Sequence, residues 1–167
     1  MSAASLSSSS LIQTRTLMDN NRIRIDASLQ EFLPRFEEGI SRFINGDPDL
    51  WKQNASQRDD VTIMGGWGAY TKGWDKVGPW YDWAAARFHE SGAKVEVEYV
   101  SSGVSGDLAY TITLERSEVL LAGQEKPAAM TLRATHLFRR ENGTWKLVHR
   151  HADPLVDKTA PATVLQK

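Results

Sequence analysis

The chain has 167 residues and no cysteine, and its 20 Lys+Arg against 21 Asp+Glu give a formal charge of -1. This length fits one domain able to bury about 70% of its unfolded surface. Zinc–thiolate centres, disulfide frameworks and thiol nucleophiles are excluded, and no block of like charge offers the footprint of a nucleic-acid binder.

Residues 1 to 25 begin M-S-A-A-S-L-S-S-S-S, show no amphipathic period and read as a disordered tail. The basic start and apolar stretch of a secretory signal are missing. Serine enrichment, Arg15 and the lack of any acid before Asp19 do resemble an organelle transit peptide. A plain solvated tail and a cytoplasmic location are the expectation, with no membrane partner. The domain proper is expected over residues 26–156.

From Asp26 to about Asn45, Leu29, Phe32, Phe36, Ile40, Phe43 and Ile44 recur at helical spacing, with Ser28 and Glu31 as a capping box. Pro34 predicts a kink near Phe32, or a helix that starts near Leu33. Gly46 ends it, and Asp47-Pro48 opens a short helix that ends by Asn54. Asp60 to Met64 reads as a strand, and the glycines of G-G-W-G-A-Y-T-K-G mark turns, since a phosphate loop needs spacings absent here. An aromatic stripe from Trp74 to Ser91 (Trp74, Val77, Trp80, Tyr81, Ala84, Ala85, Phe88) predicts a helix closed by Gly92. Lys94 to Val100 and Asp107 to Leu121 follow as strands. Six tryptophans suit a thick core or an apolar ligand cavity.

The segment Leu132 to Asp153 turns at Asn142-Gly143, the strongest short signal for a type I′ hairpin. An unbroken register would set Phe138 opposite Leu147, His136 opposite His149 and Ala134 opposite His151. One face would then carry Leu132, Ala134, His136, Phe138, Trp145, Leu147, His149, His151 and Asp153. Pro154 stops the strand, and residues 157–167 read as a loose tail. Helices followed by an antiparallel meander define an α+β class, a curved sheet wrapped around N-terminal helices.

This element order, with F-I-N-G-D (Phe43 to Asp47), D-D-V-T-I-M-G-G-W-G-A-Y-T-K-G (Asp59 to Gly73), G-D-L-A-Y (Gly106 to Tyr110) and T-H-L-F-R-R-E-N-G-T-W-K-L-V-H-R-H-A-D (Thr135 to Asp153), resembles the nuclear transport factor two superfamily, also called cystatin-like or ketosteroid-isomerase-like. The last motif looks like its SnoaL-like branch. The resemblance covers about residues 29 to 155 and implies a cone with a pocket at its open end, often in a homodimer. Where the family's steroid isomerases carry a catalytic acid, this chain has Met64-Gly65-Gly66, and their first-helix tyrosine falls at about Ile40. That isomerisation route is therefore not expected, nor is a cofactor.

The candidate catalytic groups are His151, His149, His136 and Asp153, imidazoles beside a carboxylate that suit acid–base work near neutral pH. Two alternatives stand beside this: histidines satisfied within the core, and a three-histidine metal site. Trp67, Tyr99, Tyr110 and Asp60 are candidate ligand-binding residues. On the opposite hairpin face, Thr135, Leu137, Val148 and Ala152 among Arg133, Arg139, Lys146 and Arg150 form an apolar centre with a basic rim, which suits a two-fold dimer through the outer sheet face. The expected function is a pocket for a small hydrophobic or aromatic ligand carrying a carbonyl or hydroxyl, extending to acid–base conversion of isomerase, dehydratase or cyclase type. The alternative is a non-catalytic dimerisation or protein-binding module with a vestigial pocket.

Overall fold

The computed structural model describes residues 25–165, so the expected N-terminal tail up to Arg24, with its transit-peptide resemblance, lies outside the described residues. Helix α1 spans Ala27–Phe43, and the apolar period is its cause: Leu29, Phe32, Leu33, Phe36 and Ile40 form one buried stripe. Asp26, not Ser28, caps it, its Oδ1 accepting from Ser28 N at 3.0 Å and Ser28 Oγ at 2.6 Å. The helix runs through Pro34 without a break, and that residue lies on the exposed side. Helix α2, Asp49–Asn54, starts one residue later than expected, with Pro48 as N-cap and Asp47 Oδ1 accepting from Asp49 N at 2.9 Å.

Strand β1 (Thr62–Gly65) is followed by β2 (Gly68–Lys72), which the sequence reading took for turns. The two pair as an antiparallel hairpin around Gly66-Trp67. Glycine is required at position 65, where a Cβ would sit 2.5 Å from the Trp80 ring. Helix α3 covers Trp74–Ala85 and ends well before Gly92, because Phe88–His89 leaves it as strand β3 and pairs with Leu120 and Leu121. The remaining strands are β4 (Glu96–Ser105), β5 (Leu108–Leu121), β6 (Ala128–Glu141) and β7 (Thr144–Pro154). A single 3-10 turn, Pro161–Val164, lies in the stretch expected as a loose tail.

The sheet order is β2-β1-β7-β6-β5-β3, with β4 also on β5 and β1 parallel to β7. This is the expected α+β cone, a strongly curled sheet around N-terminal helices. The core joins Leu29, Phe32 and Phe36 of α1, Trp51 of α2, and Val77 and Tyr81 of α3 to Ile63, Phe138, Trp145 and Leu147 of the sheet. Among the described residues, no helix is long and apolar enough to cross a membrane.

The β6–β7 hairpin turns as predicted, with Asn142 at φ 51° and Gly143 at φ 79°. Its register holds from Glu141↔Thr144 to Phe138↔Leu147 and then slips: Leu137 pairs with His149, His136 with Arg150, Thr135 with His151 and Ala134 with Ala152. Val148 is the extra residue of a β-bulge. Because side chains alternate with period two, one inserted residue turns every later β7 side chain to the opposite face. The expected pairings of His136 with His149 and Ala134 with His151 are thus corrected. Arg150 and Ala152 turn inward and are buried, and His149, His151 and Asp153 turn outward.

Strand β5 departs from the usual polarity in the same sense. Its helix-facing side carries Ala109, Thr111, Thr113 and Glu115, all buried, and its outer side exposes Leu108, Tyr110 and Ile112. A half-solvated sheet face normally shows the reverse pattern.

Candidate functional site

The cone encloses a cavity of about 420 Å³. Its wall is mostly apolar, with Ile40, Ile63, Trp80 and Phe88 among the lining residues, and the exposed Trp67 and Leu155 mark the rim. At the buried end stand four side chains able to address a ligand: Trp51, Tyr81, Glu115 and Arg150.

Glu115 and Arg150 form a bidentate ion pair, Arg150 Nη1 donating to Oε1 at 2.8 Å and Nη2 to Oε2 at 2.6 Å. Glu115 is 3% exposed and Arg150 9%. Burial works against the carboxylate charge, but the charge and hydrogen bonds of Arg150 hold Glu115 well below the usual carboxylate range. Behind the pair lies His136, 1% exposed, bonded by Arg150 Nη1 and 3.3 Å from Glu115 Oε1. An arginine can only donate, so His136 Nε2 is the acceptor, and its Nδ1–H donates to Thr111 Oγ1 at 3.0 Å. Burial lowers the pKa of this ring, and the Arg150 charge beside it acts in the same direction. His136 is a neutral, fully partnered element of the core and does not line the cavity.

Trp51 Nε1 and Tyr81 Oη differ from these. Both are buried, both side chains line the cavity, and neither atom makes a hydrogen bond of normal geometry within the protein, although the Trp51 indole lies near enough to Tyr81 to oppose slightly the rise of the phenol pKa. Burial pushes the Tyr81 phenol up to about 12, so it remains protonated and able to donate. Buried polar atoms are rarely left unsatisfied, since each one costs about 1 to 3 kcal/mol. Two of them on side chains that line one cavity single out this end of it as the place where an entering acceptor would find donors.

Of the residues expected from the sequence, Trp67 lines the cavity, and the others are dispersed. His149 is half-buried on the outer face, its Nδ1 2.8 Å from Thr62 Oγ1, and burial, with the neighbouring His151, lowers its pKa. His151 is exposed on that face, and Asp153 is held by Arg133 at 2.7 and 2.9 Å. The three imidazoles therefore do not converge on a metal or on one another, and among the described residues no group of three His, Asp or Glu side chains is arranged to hold a metal ion. Tyr99 donates to Glu37 Oε1 at 2.5 Å, Tyr110 lies on the outer face beside Ser101, and Asp60 pairs with Arg139 at 2.6 and 3.0 Å. Sequence reasoning missed Trp51, Tyr81, Glu115 and Arg150. The available signal was Glu115 itself, a lone carboxylate in step with Ala109, Thr111 and Thr113 on β5.

The histidine states set an acid limit on stability. Both His136 and His149 have folded pKa values below the unfolded value of about 6.5. The unfolded chain therefore binds more protons just below that pH, and stability falls on acidification. Going from pH 7.5 to 5.5, the loss should reach no more than roughly 1.4 kcal/mol per pH unit per histidine. Urea titrations at both values check this, and an unchanged midpoint would place a charged ring in the folded state.

A family model for the SnoaL-like domain matches residues 35–157, and the chain belongs to that family. Solved structures agree on the fold. A dehydratase candidate of the NTF2-like family from Streptomyces avermitilis is 20% identical, with a TM-score of 0.62 over 78% of this chain and 95% of its own. A protein of cystatin-like fold from Caulobacter vibrioides is 12% identical, with a TM-score of 0.59 over 77% and 88%. The CaMKII hub of S. rosetta is 18% identical, with a TM-score of 0.57 over 80% and 100%. No curated protein matches the sequence. At these identities the likeness shows the fold alone.

Proposed function

We propose that this SnoaL-like domain binds a compact, largely apolar molecule in the cone, with a carbonyl or hydroxyl oxygen of the ligand at the buried end. The observation that carries this reading is the pair of groups without a hydrogen bond of normal geometry, Trp51 Nε1 and Tyr81 Oη, on side chains that line a mostly apolar cavity. A volume of about 420 Å³ is ordinary for small-molecule sites, which span about 300–1,000 Å³. It also speaks against a vestigial pocket, which tryptophan and tyrosine side chains would fill. Binding is better supported than acid–base conversion, because the carboxylate in the wall is tied to Arg150 and the outward imidazoles do not line the cavity.

Native mass spectrometry of the purified protein, followed by a thermal-shift screen of ketones, lactones and aromatic alcohols, tests the reading. A bound or stabilising compound is expected, and Tyr81→Phe should weaken it by about 0.5 to 1.5 kcal/mol, the net value of one hydrogen bond. Failure of every compound to shift the melt, with no carried molecule, would sink the proposal.

A second observation favours self-association. Leu108, Tyr110, Ile112 and Leu137 are exposed together on the outer face, Tyr110 directly opposite Leu137. We infer a homodimer through this face, since a self-complementary apolar patch suits a two-fold interface. Replacing Tyr110 and Leu137 with Glu would set like charges against their symmetry mates, so the double variant is expected to run as a monomer in light scattering. A dimer that persists would move the interface elsewhere.

A further inference from the structure

We infer that the buried end of the cavity selects a neutral oxygen-bearing ligand and rejects a carboxylate of the same shape, and that Glu115 is the residue that sets this choice. The inference rests on the ligand-binding reading above and adds the charge state of the ligand to it.

A guanidinium at the bottom of an apolar cavity would by itself be a carboxylate anchor, because its planar fork matches two oxygens at once. Here Glu115 already occupies that fork. Both Arg150 terminal nitrogens donate to its carboxylate, at 2.8 and 2.6 Å, and Nη1 also bonds His136 Nε2. Three of the five N–H donors of the side chain are thereby committed. The pair carries no net charge, and His136 adds none, since the nitrogen facing Arg150 is an acceptor. An incoming carboxylate would meet a fork already filled by an ionised carboxylate that lines the same cavity. It would surrender its hydration and gain a like charge as neighbour.

A neutral oxygen meets different partners. The unpartnered atoms at this end, the indole N–H of Trp51 and the phenol O–H of Tyr81, are uncharged donors. A carbonyl oxygen has two lone pairs and can take both, and a hydroxyl can accept from one of them. The apolar wall, from Ile40 and Ile63 to Phe88, takes the remainder of such a molecule. Sites that leave buried donors unpaired with the wrong ligand discriminate strongly against it.

The test uses shape-matched pairs on the intact chain at pH 7.5: acetophenone against benzoate, and 2-acetylnaphthalene against 2-naphthoate, titrated by ligand-observed NMR. The ketone of each pair is expected to bind at least tenfold more tightly than the acid. Glu115→Gln should then raise affinity for the acid at least tenfold relative to the ketone, because the fork loses its counter-charge and keeps its shape. Tyr81→Phe, which alters no charge, should weaken the ketone and leave the acid unimproved. If Glu115→Gln does not fold, the wild-type ratio and Tyr81→Phe still decide the matter. Equal or tighter binding of the acids to the wild type would overturn the selectivity and leave the pocket standing. No binding by any of the four compounds at millimolar concentration would overturn both.

Discussion

Arg150→Met is expected to lower the free energy of unfolding by about 3 to 5 kcal/mol at pH 7, the usual cost of breaking a buried ion pair from one side. Methionine fills much of the volume, so the loss comes from the Glu115 carboxylate, left 3% exposed with only the His136 ring, 3.3 Å from Oε1, to offset its charge. The double replacement Glu115→Leu with Arg150→Met removes both charges and should recover most of the loss, because a buried pair gains little net stability over apolar residues of similar size. Acid provides a separate signature. In the wild type the Glu115 pKa is depressed, so its contribution is present above the unfolded carboxylate value and is lost as pH falls through the folded one. In Arg150→Met, burial dominates and raises that pKa, so the variant is penalised as pH rises and relieved as it falls. The gap between the two proteins should therefore narrow from pH 7 to pH 4 in urea titrations. A loss below about 1 kcal/mol at pH 7, or a gap that widens in acid, would mean that Glu115 is not a buried carboxylate held by Arg150.

The same pair shows where the sequence stopped being legible. Element types, chain order and the Asn142-Gly143 turn could be read because periodicity and turn chemistry are local, and residues 142 and 143 adopt the positive φ values that the turn requires. The site could not be read, because it hinges on one unpaired residue. Without the bulge at Val148, strict alternation assigns His149 and His151 to the cavity and Arg150 to solvent, and the structure reverses all three. No residue near Val148 announces the bulge in the way that a glycine would. Strand β5 misleads for a related reason. Leu108, Tyr110 and Ile112 are the apolar side of its alternation, yet they face outward, and Thr111, Thr113 and Glu115 lie under the helices. That inversion follows if both faces of the sheet are covered, one by helices and a ligand, the other by a second copy. A single chain read alone supplies only one of those covers. The short strand β2 was missed because Gly68 and its neighbours carry turn-forming chemistry, while pairing with β1 is decided by tertiary contact.

Trp145→Ala tests the part of the hairpin that precedes the slip, and it should cost about 3 to 5 kcal/mol, the range for truncating a large core aromatic. Trp145 is 3% exposed and packs in the same cluster as Phe138 and Leu147, and the Arg140 guanidinium carbon lies 4.1 Å from its ring centroid. Its Nε1 donates to Ser28 Oγ at 3.4 Å, a long bond that contributes little beside the burial of the ring. Trp145→Phe keeps most of the apolar surface and loses only that bond and part of the ring, so it should recover the greater part of the loss. Trp145 does not line the cavity, and the alanine variant, measured below its melting point, should therefore bind ligand with the charge preference of the wild type. Arg150→Met, by contrast, should alter stability and ligand preference together. A Trp145→Ala loss below about 1 kcal/mol by denaturant titration would mean that the register fails even between Glu141 and Phe138, and the inward placement of Arg150, which is counted from that register, would fail with it.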